Sequence, residues 1–251
     1  MMRDMKRYYV LDLIRGAALI SMIVYHAVWD LVYIEGFNWS WYKSDASYIW
    51  QQSICWTFIL LSGFCWRIGR KRLKRGRTVF AAGFLVTDMT VIFSPDSRVI
   101  FGILTLLGSC MIIMIILHKP LKKCHSVIGM AISFLLFLFL KNTGNGYIGF
   151  GGCEIINLPQ GLYRNLFTAF WGFPPSDFYS SDYFPILPWI FLFITGYFIY
   201  GIFEKKNLFG LLEHKTTTLL EWPGRHSLVI YLLHQPVIMI IVYLLSALCL
   251  L

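Results

Sequence analysis

The chain has 251 residues, of which 57% are hydrophobic, 18% aromatic and only 14% charged, and its mean hydropathy is +0.64. Soluble domains carry about 25% charged residues, so this composition excludes an ordinary water-soluble protein. The net charge of +9 could indicate a nucleic-acid-binding protein. However, the basic residues fall in alternate loops between apolar stretches, which is typical of a membrane protein and speaks against nucleic acid as a partner.

Apolar stretches recur along the chain, each near the roughly 20 residues that a helix needs to cross a bilayer. They lie at residues 10–34, 47–66, 78–94, 98–118, 126–140, 185–203 and 226–250. The connections between them are short except for residues 141–184 and 204–225, and no internal repeat is visible. We therefore predict an all-α fold: a single polytopic membrane domain over residues 1–251, with about seven transmembrane helices.

Basic residues distinguish the two sides of the membrane. Of the 22 Lys and Arg residues, 17 lie before the first stretch or in residues 67–77, 119–123 and 205–225, which share one side of the predicted bundle. Because cytoplasmic loops are enriched in Lys and Arg, we predict a cytoplasmic N-terminus, a cytoplasmic loop at 204–225 and an outer segment at 141–184. The run at 67–77 is foremost such a topology signal, although it could also hold a phosphate group or lipid headgroups.

The outer segment is glycine-rich at its start and aromatic afterwards, with side chains such as Phe167, Trp171, Tyr179 and Tyr183. An aromatic belt at the membrane interface explains this composition. A lid or platform on which a ring-bearing ligand stacks would also explain it. The six cysteines include no CxxC pair, so neither a disulfide framework nor a metal site is predicted.

The first predicted helix carries its ionisable residues on one face. At 100° per residue, Asp12, Arg15, His26 and Asp30 fall in one sector, opposite an apolar face. Each such residue deep in a bilayer costs on the order of 2.5–3.5 kcal/mol, so the face requires partners or water. Arg15 and His26 lie three turns apart, about 16 Å along the axis, which places Arg15 near the cytoplasmic boundary and His26 in the outer half.

Two interpretations of this face follow from the residues alone. In the functional one, Asp30 accepts a hydrogen bond from His26 one turn earlier and orients the imidazole for proton transfer. In the structural one, Asp12 and Arg15 form only an ion pair at the helix start, and His26 and Asp30 only tie the helix to a neighbour. Because the whole array shares one face, we favour the functional interpretation.

Further candidates lie outside the first predicted helix. His234 lies inside the last predicted helix, where it could contact a substrate or only hydrogen-bond another helix. Arg225, at the membrane boundary, could cap that helix or contact a donor. Gln52 lies at about the depth of His26 and could bind an acceptor or only its neighbours.

Several motifs, in order along the chain, resemble one family of membrane enzymes. Residues 11–18 (LDLIRGAA), followed by His26, resemble the opening of the transmembrane acyltransferase superfamily, which is also called acyltransferase-3-like. Within it, the chain looks most like bacterial relatives of the heparan-α-glucosaminide N-acetyltransferase catalytic region. The stretches that support this are 58–63 (FILLSG), 101–108 (FGILTLLG), 181–189 (SDYFPILPW) and 224–236 (GRHSLVIYLLHQP).

The resemblance implies transfer of an acyl group, usually acetyl from cytoplasmic acetyl-CoA, to a hydroxyl or amine of a glycan-type acceptor on the far side of the membrane. It implies a catalytic His26, which we expect to act with Asp30 as general base or acyl acceptor, and an Arg15 that engages the CoA end. We expect Asp12 and Arg225 to assist at the donor and Gln52, His234 and Trp29 to contact the acceptor. It also implies the bacterial cytoplasmic membrane, with lipid around the chain; a homodimer is compatible with the sequence.

Two other classes of function compete with the acyltransferase. A small-molecule or proton-coupled transporter would also place Asp, His and Arg within the membrane, although we see no inverted repeat. A non-catalytic membrane partner of glycan assembly is the third hypothesis.

Overall fold

A computed structural model describes residues 7–150, 152–215 and 218–248. The helices are α1 (Tyr9–Tyr33), α2 (Asp45–Ile68), α3 (Arg72–Phe93), α4 (Ile103–Leu121), α5 (Ser126–Phe139), α6 (Leu166–Trp171), α7 (Ile186–Lys205), α8 (Thr218–Arg225) and α9 (Ser227–Ala247). Two short strands, β1 (Tyr147–Phe150) and β2 (Cys153–Asn157), lie between α5 and α6. Arg3 and Lys6, which contribute to the predicted orientation, lie outside the described residues.

The prediction of an all-α polytopic membrane protein is confirmed. The structure is 74% helical, and a long helix occupies each of the seven predicted stretches. By length and composition, six helices among the described residues could cross a membrane: α1, α3, α4, α5 with the turn that follows it, α7 and α9. Helix α2 is 24 residues long but is not among them. Polar residues such as Asp45, Gln51 and Gln52 lower its hydropathy.

The chain forms two compact units, which divide within α2. One comprises residues 1–58 and 207–251, and the other comprises residues 59–206. The first unit therefore contains α1, the beginning of α2, α8 and α9, and it holds all the residues that the sequence predicts as a site. That the whole chain acts as one domain stays a prediction.

In the first unit, α1 packs against α8 and α9. Gly16 of α1 and Gly224 of α8 permit a close approach between these two helices. A Cβ at Gly16 would overlap the Leu220 carbonyl oxygen, and one at Gly224 would overlap the Asp12 carbonyl oxygen. Further along α1, Leu19 and Met22 form a small apolar core with Ile54 of α2. The start of α1 is therefore held against the short helix α8, and the middle of α1 packs against the beginning of α2.

In the second unit, small residues also bring helices together. The backbone of α3 at Gly83 meets Thr105 of α4, and Gly108 of α4 meets Phe80 of α3. Helices α5 and α7 are joined by a hydrogen bond between the hydroxyls of Ser133 and Thr195, 2.9 Å apart. Small residues at such interfaces are usual in membrane bundles because they let backbones approach.

The basic run at 67–77 is partly structural. Arg67 forms an ion pair with Glu204 at 2.7 Å, and its guanidinium lies 4.5 Å from the centre of the Tyr200 ring. Arg72, the first residue of α3, lies 4.2 Å from the ring centre of Trp66, which is buried. At least these two arginines therefore hold the ends of α2, α3 and α7 together.

The outer segment has more structure than the sequence predicts. Strands β1 and β2 pair as an antiparallel hairpin, and α6 begins at a capping box made by Asn165 and Thr168. The hydroxyls of Tyr163 and Tyr183 donate to the carbonyl oxygens of Thr143 and Ala169. Part of the aromatic content of this segment therefore serves its own folding, while Phe167 remains 70% exposed.

Candidate functional site

The polar face of α1 forms two clusters within the first unit. The first, named the donor-end cluster after the role that the sequence predicts for Arg15, consists of Asp12 and Arg15 with Arg7 and the end of α8. The second, named the acceptor-end cluster after the role predicted for His234, consists of His26 and Asp30 with His234 and Gln235 of α9. Along α1, residue 12 meets residue 224, residue 26 meets residue 234 and residue 30 meets residue 235, so α9 runs parallel to α1.

In the donor-end cluster, one carboxylate bridges two arginines. Asp12 accepts hydrogen bonds from Arg7 at 3.1 Å and from Arg15 at 3.3 Å. Arg15 also donates to the carbonyl oxygen of Gly224 in α8, at 3.4 Å. The ion pair that the structural interpretation predicted is therefore present, and it extends to a second helix.

Arg225 lies at the end of α8 and pairs with Glu221, which is 1% exposed, at 3.3 Å. Together with Arg7, Asp12 and Arg15, this pair gives three arginines and two carboxylates among the described residues of the donor-end cluster. The side chains of Arg15 and Arg225 keep 24% and 37% of their surface exposed. These two guanidinium groups are thus partly accessible, and they can attract an anionic group such as a phosphate.

In the acceptor-end cluster, Asp30 is fully buried and is held by α9. Both of its carboxylate oxygens accept from Gln235 Nε2, at 2.9 and 3.1 Å. The sequence predicted that Asp30 accepts from His26, and this pairing is wrong for the described structure. The reason is that α9 brings an amide donor to the carboxylate, while the His26 ring turns toward another histidine.

That histidine is His234, whose ring centre lies 4.9 Å from that of His26 at an angle of 57°. His234 Nδ1 is hydrogen-bonded to the Tyr231 carbonyl oxygen one turn earlier. In the described part of the chain, His234 Nε2 and Gln235 Oε1 are buried and have no hydrogen-bond partner. The structure therefore brings two partly buried histidines and an amide together around the buried carboxylate of Asp30.

Aromatic side chains support this cluster from one side. Trp50 of α2 donates from its indole nitrogen to the Ser21 hydroxyl at 2.8 Å, and its ring packs edge-on against Tyr25 at 5.1 Å. Tyr42, in the turn before α2, donates to the Tyr25 carbonyl oxygen at 3.2 Å. Tyr42 is 4% exposed, and its burial raises the pKa of its hydroxyl. These contacts fix α1 around His26.

Gln52 and Trp29 are not joined to either cluster by a described contact. Gln52 Oε1 accepts from Trp56 of its own helix at 3.1 Å, and the Trp29 ring contacts Tyr33 at 5.2 Å. Their roles as acceptor-binding residues stay predictions. Sequence reasoning also missed Gln235, because the helix pairing that brings it to Asp30 joins residues 205 positions apart.

The sequence of this chain, including both clusters, matches a known protein family. The family model described as heparan-alpha-glucosaminide N-acetyltransferase, catalytic, matches residues 7–236. The chain belongs to this family. The matched range includes both clusters, from Arg7 to Gln235, and the predicted resemblance is confirmed. No curated protein and no solved structure matches the chain.

Because the chain belongs to this family, the protein is a membrane acetyltransferase. Among the described residues, no group of three or more His, Cys, Asp and Glu side chains is arranged to hold a metal ion. The side chains of the two clusters offer imidazole, carboxylate, amide and guanidinium groups for chemistry.

Proposed function

We propose that the protein transfers an acetyl group from cytoplasmic acetyl-CoA to a hydroxyl or amine of a glycan-type acceptor at the outer side of the membrane. The observation that carries this proposal is the pair of polar clusters on one face of α1, in a chain of this acetyltransferase family. Arg15 and His26 are separated by about 16 Å of helix, which is roughly half of the hydrocarbon core.

The donor-end cluster supports binding of CoA. Among the described residues it brings three arginines together, Arg15 and Arg225 are partly exposed, and guanidinium groups bind phosphate oxygens through paired hydrogen bonds. In this proposal Arg15 contacts the CoA end, Asp12 holds Arg15, and Arg225 assists from α8. The extended arm of CoA then reaches along α1 toward His26.

The acceptor-end cluster supports the transfer step. The acceptor oxygen or nitrogen forms a bond to the acetyl carbon, the bond from that carbon to the CoA sulfur breaks, and the acceptor proton passes through an imidazole to the departing sulfur. In this direct transfer His26 acts as general base. Alternatively, His26 acts as the acyl acceptor: it takes the acetyl group from the sulfur, and the acceptor then displaces His26 from the acetyl carbon. Asp30 is a positioning residue, because its contact is with Gln235, which holds α9 and thus His234 beside His26.

Purified protein tests this proposal. Wild-type protein in detergent is given acetyl-CoA and glucosamine, and acetylglucosamine is measured. We expect His26→Ala to lower the rate on the order of 100- to 10,000-fold, the usual contribution of a general acid or base. The matched control is His125→Ala, which removes an exposed histidine outside both clusters. Transfer by His26→Ala at the wild-type rate would contradict the assignment.

A further inference from the structure

Two neighbouring side-chain atoms of α9, His234 Nε2 and Gln235 Oε1, are buried without a hydrogen-bond partner in residues 7–150, 152–215 and 218–248. Buried polar atoms nearly always have a partner, so each exception requires an explanation. Both residues face the same side of α1, because His234 contacts His26 and Gln235 contacts Asp30 one turn further along. The two atoms therefore belong to the site where acyl transfer is proposed.

The hydrogen bonds that His234 and Gln235 make determine whether His234 Nε2 and Gln235 Oε1 donate or accept. The Tyr231 carbonyl oxygen can only accept, so His234 Nδ1 carries the hydrogen, and in the neutral ring Nε2 then carries the lone pair. Likewise, both Asp30 oxygens accept from Gln235, which fixes the amide nitrogen there and leaves Oε1 as a free acceptor. The site thus presents two acceptors to a group that donates hydrogen.

We propose that His234 is a second catalytic histidine, whose Nε2 takes the proton of the attacking hydroxyl or amine. Gln235 Oε1 accepts a further hydrogen of the same acceptor. This assignment rests on the proposed function, and of the two roles left to His26 it selects the acyl acceptor. His26 itself has no described partner that fixes its tautomer, whereas the Tyr231 carbonyl fixes that of His234.

The acetyl group passes through His26 in two steps. A nitrogen of His26 attacks the acetyl carbon of acetyl-CoA, the carbon–sulfur bond breaks, and the imidazole proton leaves with the sulfur as the CoA thiol. The acceptor then attacks the acetyl carbon, its proton moves to His234 Nε2, and the bond from that carbon to His26 breaks. His234 then returns the proton to the nitrogen of the neighbouring His26, whose ring centre lies 4.9 Å from that of His234.

Substitution of His234 by Gln tests this assignment, because an amide keeps an acceptor atom but cannot take a proton. The matched control is His226→Gln at the start of the same helix, where Nδ1 also contacts a carbonyl oxygen but the residue is exposed. We expect kcat for acetylation of glucosamine to fall on the order of 100- to 10,000-fold in His234→Gln. Because His234 acts only after His26 has taken the acetyl group, kcat/KM for acetyl-CoA should stay within about twofold of the wild type, so the KM for acetyl-CoA should fall together with kcat. The control should match the wild type.

Two readouts separate a catalytic role from a structural one. In wild type, kcat should fall at acidic pH because a protonated Nε2 cannot accept the acceptor's proton, and this acid limb should be absent in His234→Gln. Without acceptor, labelled acetyl-CoA should leave acetyl label on wild type and on His234→Gln but not on His26→Ala. A misfolded His234→Gln would lose the label as well.

A labelled His234→Gln protein with wild-type kcat or with an unchanged acid limb would overturn the inference while leaving the proposed function intact. A wild-type protein that forms acetylglucosamine but takes no acetyl label would overturn it as well. Failure of the proposed function looks different. The wild type itself then forms no acetylglucosamine, and the assignment of His234 falls with it.

Discussion

At the residue scale, the hydrogen bonds between Asp30 and Gln235 account for how an acid is tolerated inside α1. A buried carboxylate without partners is strongly destabilising, and here both oxygens accept from one amide. The periodicity of α1 was sufficient to predict that Asp12, Arg15, His26 and Asp30 share a face. It could not predict which helix supplies the partner, since Asp30 and Gln235 are far apart in sequence and their pairing depends on tertiary packing.

Asp182, in the outer segment, supplies a prediction at the same scale. Burial raises the pKa of this carboxyl from 3.8 to about 6, against the opposing effect of a hydrogen bond from the Ile103 backbone. Between pH of about 4 and 6, the folded protein therefore binds a proton that the unfolded chain has released. Stability contributed by this group falls as pH rises through that window.

We expect Asp182→Asn to remove this component of the pH dependence, because the amide does not titrate. The measurement is Tm in detergent at pH 4, 5, 6 and 7 for wild type and variant. A matched control is Asp177→Asn in the same segment. A Tm difference between Asp182→Asn and wild type that stays constant from pH 4 to 7 would contradict the raised pKa.

At the element scale, the contact between α1 and α8 determines the geometry of the donor-end cluster. Apolar stretches of about 20 residues predicted the long helices well. The eight-residue α8 and the six-residue α6 were missed, because such short helices depend on tertiary contacts more than on their own sequence pattern. The hairpin of β1 and β2 was missed for the same reason.

The close approach at Gly16 leads to a prediction for this element pair. A methyl group at position 16 would overlap the Leu220 carbonyl oxygen, so Gly16→Ala must push α8 away from α1. Arg15 then loses its contact with Gly224, and we expect acetyl-CoA to bind at least several-fold more weakly, with a lower Tm. Binding is measured by calorimetry on purified protein.

Gly210→Ala is the control for this experiment. Gly210 lies in the same unit, and a Cβ there would meet nothing within 4 Å. We expect it to bind acetyl-CoA as the wild type does. Equal binding and equal Tm for Gly16→Ala and Gly210→Ala would show that the α1–α8 contact does not support the donor site.

At the scale of the whole molecule, composition and charge predicted the class of protein, and the structure and the family confirm a polytopic membrane acetyltransferase. Which end of the bundle faces the cytoplasm stays a prediction, because it follows from the distribution of Lys and Arg alone. The proposed reaction depends on these sides, since the donor-end and acceptor-end clusters must face opposite compartments.

Transfer across a reconstituted membrane tests the central claim most directly. Protein is inserted into vesicles, and its orientation is read from labelling of Cys153, an exposed residue of the outer segment, by a membrane-impermeant maleimide after the other cysteines are replaced. With labelled acetyl-CoA only on the side opposite Cys153 and glucosamine only on the Cys153 side, we predict acetylglucosamine on the Cys153 side. Arg15→Ala should raise the KM for acetyl-CoA, and His26→Ala should abolish product. Product that forms only when donor and acceptor share one compartment, or transfer that is indifferent to both substitutions, would contradict the account.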